Sequence, residues 1–143
     1  MKYAEAKPFL YTDGSLRDVL VLETTVEQSD QFLNYVRPMI RQGDFLLGPE
    51  VVDLPASYEE ILEMQVDEMA LLMIPVGRST VNCHFLDTSE LDLNIRPSEC
   101  NDEESWSALS CFLQGLADAV QGDVLVTAEN KPESVYMRFK PHQ

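Results

Sequence analysis

Positive charge is scarce in this chain of 143 residues: 10 Lys and Arg stand against 25 Asp and Glu, for a formal net charge of −15 at neutral pH. Such a balance repels phosphate backbones and anionic lipid, and the few cations are not clustered. Direct binding to nucleic acid or to a membrane is therefore not expected. No apolar stretch approaches membrane-spanning length. The opening Met1-Lys2-Tyr3-Ala4-Glu5-Ala6-Lys7-Pro8 has neither the apolar run nor the small-residue cleavage site of a secretory signal, so a cytoplasmic location is the expectation. Cysteine is limited to Cys83, Cys100 and Cys111, an odd number without C-x-x-C spacing, which argues for free thiols.

Residues that carry local chemical motifs are equally sparse. The six glycines fall singly, with no phosphate-cradling loop; only Gly115 lies inside a helical pattern, beside its apolar stripe, where it implies close packing. His84 and His142 are the only histidines, and no zinc or EF-hand spacing surrounds them, so neither a metal nor a cofactor is expected. Ser105, Ser107 and Ser110 have no nucleophile-elbow context. No catalytic residue is nominated, and the chain is not expected to be an enzyme.

What is present is enough apolar sequence, 45% of residues, for one core of its own. A single α+β domain over residues 1–143 is expected, with a mostly antiparallel sheet, two longer helices and one short helix. Val19-Leu20-Val21-Leu22 is apolar on both alternating faces, as a central, doubly covered strand requires. Thr25 and Gln28 form a capping-box pattern, and Phe32, Leu33, Val36 and Ile40 then recur at helical spacing, predicting a helix over about residues 26 to 41. Pro38 should kink it or loosen its last turn after Val36. Phe45-Leu46-Leu47 and Val51-Val52-Asp53-Leu54 read as a hairpin around Gly48-Pro49. Ser57 opens a short helix burying Tyr58, Ile61 and Leu62.

Leu71 to Ile74 is a second run apolar on both faces. Val81, Cys83 and Phe85 alternate with Asn82 and His84, and Leu91, Leu93 and Ile95 with Asp92 and Asn94, as two strands joined by a turn at Asp87 to Glu90. Asn101 and Glu104 suggest a capping box for an amphipathic helix through Leu109, Phe112, Leu113, Leu116 and Val120, closed by Gly122. Strands at Val124 to Val126 and Val135 to Phe139 complete the order. Gln42-Gly43-Asp44 and Gln121-Gly122-Asp123 follow the two long helical patterns and precede a strand and a turn. Two β-α-β-β modules around one sheet would account for this echo.

The acidity is local. Asp44 to Glu129 holds 18 acids against Arg78 and Arg96, while the remainder is close to neutral. Asp102, Glu103 and Glu104 fit the positive end of a helix dipole, as do Glu59, Glu60 and Glu63 in part. Asp67 and Glu68 follow the short helix, where the dipole opposes them, and no Lys or Arg lies between Asp53 and Met73 to offset the repulsion. Glu59, Glu60, Glu63, Asp67, Glu68, Asp102, Glu103 and Trp106 are the candidate partner-binding residues. Trp106, the only tryptophan, either anchors a partner or covers the core edge.

These features predict a binding domain whose acidic face captures and inhibits a basic protein. In size, acidity and absence of catalytic motif the chain resembles the small acidic immunity proteins that neutralise bacterial toxins, which implies a basic toxin domain as the partner; no diagnostic motif carries that resemblance and no residue roles come from it. The alternative is a small-ligand domain or enzyme with a dispersed site, His84 and Asp92 converging with Tyr136 or Arg138. A third reading is DNA mimicry, with carboxylates standing in for phosphates.

Overall fold

The computed structural model describes residues 1–142. In chain order the elements are α1 (Tyr3–Ala6), β1 (Arg17–Leu22), α2 (Val26–Val36), β2 (Phe45–Leu47), β3 (Glu50–Val51), α3 (Tyr58–Met64), β4 (Ala70–Val76), β5 (Ser79–Asp87), β6 (Glu90–Ile95), α4 (Glu103–Val120), β7 (Val124–Ala128) and β8 (Lys131–Phe139). The eight strands form one antiparallel sheet in the order β3-β2-β4-β5-β6-β1-β7-β8. The α+β class is as expected; β3, however, ends at Val51, so that Val52, Asp53 and Leu54 lie outside the strand expected of them, and β8 begins at Lys131, ahead of the expected Val135.

Helix ends follow local chemistry. Thr25 Oγ1 accepts the Gln28 amide at 3.1 Å while Gln28 Oε1 accepts the Thr25 amide at 2.9 Å, the expected capping box. Pro38 then stops α2 short: the helix ends at Val36 and continues as a 3₁₀ turn, Arg37–Met39. Gly43 is therefore no helix terminator but a turn residue at φ +95°. At α4 the cap is Asp102, whose carboxylate accepts the Ser105 amide at 2.8 Å, and not Asn101 one residue earlier. This helix closes on Gln121 in the left-handed region, φ 53°, so Gly122 does not supply the positive φ. The two Gln-Gly-Asp segments thus differ in conformation, glycine turning the chain in one and glutamine in the other.

The β-α-β-β order itself occurs twice, as β1-α2-β2-β3 and as β6-α4-β7-β8, with β1 and β6 paired at the centre. The arrangement is asymmetric. The β7–β8 hairpin adds directly to β1, whereas the β4–β5 hairpin lies between β6 and β2.

Contacts of α2 with α3 and α4, and of α4 with α1, put all the helices on one face of the sheet. Val19, Val21, Leu72, Ile74, Val81, Leu91, Leu93 and Val126 point into that layer and meet Phe32, Leu33, Leu109, Leu113 and Leu116. The expectation that β1 is covered on both faces is corrected here: it is central, but helices cover one face only, and Leu22 is 44% exposed. Leu20 is nevertheless buried on the other face, between Asp92 and Leu125 of the neighbouring strands. Gly115 packs as expected, its backbone against the Tyr35 ring of α2.

Candidate functional site

The short helix α3 carries most of the candidate acids. Ser57 Oγ accepts the Glu60 amide at 3.2 Å, and Tyr58 and Ile61 turn inward, which leaves Glu59, Glu60 and Glu63 exposed. After Met64 the helix stops, and Gln65 bridges two strands: its Nε2 donates to the Phe85 carbonyl at 2.7 Å and its Oε1 accepts the Ala70 amide at 2.8 Å. Those bonds hold the base of the excursion at 66–69, so that Val66, Asp67, Glu68 and Met69 project. Val66 is 82% exposed.

None of these five acids is neutralised within the chain among the described residues. The ion pairs that form join Arg41 to Asp44, Arg78 to Asp102, Arg138 to Asp123 and His142 to Asp118. Arg37 gives its guanidinium to the carbonyls of Leu54 and Pro55. Arg17 is buried on the carbonyls of Phe9, Tyr11 and Leu16, with Tyr11 and Tyr136 stacked over it.

Asp102 and Glu103 lie elsewhere. Arg78, in the β4–β5 turn, binds Asp102, and the adjoining Thr80 amide donates to Glu99 at 3.0 Å, which fixes the start of α4 at the Ser79 end of β5. Gln65 and α3 sit at the Phe85 end. Six residues of extended strand separate the two, about 20 Å. The candidate acids therefore form two patches and not one. The Asp102 carboxyl is held below the usual carboxylate range by the Ser105 hydroxyl and amide, with Arg78 adding to them.

Trp106 follows Glu103 on α4, and both border the groove beside the N-terminal segment. The tryptophan is 1% exposed, and its indole N–H donates to the Met1 carbonyl at 3.0 Å, so it closes the core edge and offers a partner no surface.

The helix-free face of the sheet carries the alternative site. A single cross-strand row runs Val51, Leu46, Leu71, His84, Asp92, Leu20, Leu125, Arg138. His84 and Asp92 are direct neighbours in it, though no hydrogen bond joins them. Burial first, then Asp18 and Glu90, push the Asp92 carboxyl up, against a smaller opposing effect of His84. Arg138 lies three strands away, about 14 Å along the row, and is paired with Asp123 at 2.7 Å. Tyr136 stacks on Phe9, ring centroids 5.1 Å apart. The four residues of the dispersed site do not converge. Two open grooves, of about 990 and 750 Å³, lie by the N-terminal segment with α4 and between residues 37–45 and 51–54; neither is lined by His84 or Asp92.

Cys83 and Cys100 are buried free thiols, both pushed up chiefly by burial, Cys100 to about 12, and Cys111 is exposed. Among the described residues no three His, Cys, Asp or Glu side chains are grouped as metal ligands, and no helix is long and apolar enough to cross a membrane. Two features escaped the sequence reading: the Gln65 bridge and the burial of Arg17. An isolated Gln after a helix has no pattern of its own, and the arginine begins an apolar strand run, which is the only trace of its position. Comparison with known protein families, with curated proteins and with solved structures finds no match to this chain.

Proposed function

We propose that this chain is an acidic protein-binding domain, acting in the cytoplasm, that captures and inhibits a basic protein in the manner of bacterial toxin-immunity proteins. The observation that carries the reading is the unpaired state of Glu59, Glu60, Glu63, Asp67 and Glu68 on α3 and the loop held by Gln65. Among the described residues no ion pair has to break before a cationic partner can use them, and their joint field accelerates encounter and disfavours acidic competitors. Asp102 and Glu103 form a second, smaller patch in which Arg78 already answers one charge.

The test is retention of basic proteins, including the products of neighbouring genes, on the immobilised chain at low salt. Bound protein should elute progressively as salt rises, because exposed charges are screened within a Debye length of about 10 Å at 0.1 M. The triple variant Glu63→Lys, Asp67→Lys, Glu68→Lys should lose it at every salt concentration. Unchanged binding by that variant overturns the assignment of this face.

A further inference from the structure

The helix-free face of the sheet is not uniform. Along its cross-strand row Val51, Leu46 and Leu71 are consecutive neighbours on β3, β2 and β4, and polar residues begin only at His84. Alternation places Met73 on the face of Leu71. Met69 precedes β4, its carbonyl accepting the Gly48 amide beyond β2, and Leu86, exposed next to the buried Phe85, lies at the bulge of β5 between His84 and Asp87, at the border of that face. Val51, Met69 and Leu86 are 55%, 60% and 54% exposed, and Leu46, Leu71 and Met73 are partly exposed. Single exposed aliphatic side chains need no explanation, but a contiguous set across β3, β2 and β4 marks a surface built for contact.

The border of this half-face is acidic. Glu50 on β3, Asp67 and Glu68 on the projecting loop, and Asp87 at the end of β5 are all exposed. The Gly48 amide donates to the Met69 carbonyl at 2.9 Å, and the Glu68 side chain lies against Gly48, so acid loop and aliphatic patch are one surface. Arg41, before the start of β2, is engaged by Asp44. A second copy of the chain fits poorly here. A two-fold contact must be self-complementary, and it would bring this acidic border to another with no free cation to meet it.

We infer that this half-face is the docking platform for a cationic amphipathic protein segment. Its aliphatic side chains cover Leu46, Leu71, Met73 and Leu86, while its Lys or Arg residues meet Glu50, Asp67, Glu68 and Asp87. The inference rests on the acidic-capture reading above and adds where the partner's apolar anchors sit: charges set the rate of encounter, and the buried aliphatic contact sets residence.

The experiment titrates the ¹⁵N-labelled full chain with three synthetic peptides of equal length, alternating leucine with lysine, serine with lysine, and leucine with glutamate. The leucine–lysine peptide is expected to shift amides of β2, β4 and β5 and to leave β7 and β8 unmoved. The double variant Met69→Gln, Leu86→Gln changes exposed side chains, and its fold is verified by Trp106 fluorescence. It should bind that peptide about tenfold more weakly, while the serine–lysine peptide binds weakly to both proteins alike. Equal binding of the two lysine peptides, unmoved by the double variant, overturns the platform and leaves acidic capture standing. Binding of neither lysine peptide removes acidic capture and the platform together. Shifts centred on β7 and β8, or equal affinity for the leucine–glutamate peptide, overturn the placement or the charge complementarity. Self-association of the chain that the double variant abolishes assigns the patch to a second copy instead.

Discussion

Replacing Gly115 with alanine tests how closely α4 packs on α2. In mid-helix the exchange is favoured by about 1 kcal/mol on propensity alone. The new Cβ, however, would sit 3.0 Å from Tyr35 Cζ and 3.2 Å from Cε1, and closer still to the hydroxyl. The ring has to swing. Swinging it breaks the bond from the Tyr35 hydroxyl to the Phe112 carbonyl, 2.9 Å long, worth about 1 kcal/mol. It also disturbs the ring's packing on Phe112, centroids 5.5 Å apart, worth about another 1 kcal/mol. Overpacking of the α2–α4 contact adds roughly 1 kcal/mol more. Against the propensity gain, the net expectation is a loss of about 2 kcal/mol. Urea unfolding followed by the fluorescence of Trp106, the only tryptophan and a buried one, measures it directly. The decisive arm is the Tyr35→Ala background, where the same glycine-to-alanine change should reverse sign and stabilise by about 1 kcal/mol. Stabilisation in the wild-type background, or continued destabilisation once Tyr35 is gone, would refute the close approach as the reason for glycine.

The other predictions concern buried polar groups. Tyr58 Oη is buried with no hydrogen-bond partner among the described residues, so Tyr58→Phe should leave stability unchanged or raise it by up to about 1 kcal/mol; a clear drop in the urea midpoint would mean that the hydroxyl is satisfied. Arg17→Met should cost at least about 2 kcal/mol, because the carbonyls of Phe9, Tyr11 and Leu16 lose their donors together. Arg17→Lys should rescue little of it, since one ammonium cannot span those oxygens. Asp92→Asn is expected to stabilise at neutral pH. The folded state raises this carboxyl, so folding is opposed once pH climbs through the unfolded value, about 3.9, toward the folded one, and is unaffected below both. The melting temperatures of Asp92→Asn and wild type should accordingly differ at pH 7 and converge below about pH 4; a variant less stable at pH 7 contradicts the sign.

Much of the fold was legible because its signals are local. Alternation at Val81 to Phe85 and Leu91 to Ile95 located two central strands, and Thr25 with Gln28 located a helix start, since both patterns are set by side-chain period and by capping chemistry within a few residues. Pro38 located the helix end for the same reason, yet the pattern extended past it through Ile40, which packs on the core without being helical. Asn101 and Asp102 are both good caps, and which one serves is settled in three dimensions: Arg78 and Ser105 converge on Asp102. The candidate site was legible only as composition. The acids of α3 were identified, but their sequence gave no hint that Asp102 and Glu103 sit at the other end of β5.

By itself, then, the sequence determined the α+β class, the positions of most strands and helices, the free thiols, the tight packing at Gly115 and the concentration of acid between Asp44 and Glu129. Those depend on periodicity, capping and residue type, which act over one turn or one hairpin. Tertiary structure alone decided the strand order, with β4 and β5 placed between β6 and β2. It also buried Trp106 and Arg17, left Asp67 and Glu68 without a cation among the described residues, and gathered Leu46, Val51 and Leu71 on one open half-face. Each of these depends on which strands become neighbours, a long-range choice made by the burial of the whole core and carried by no single segment.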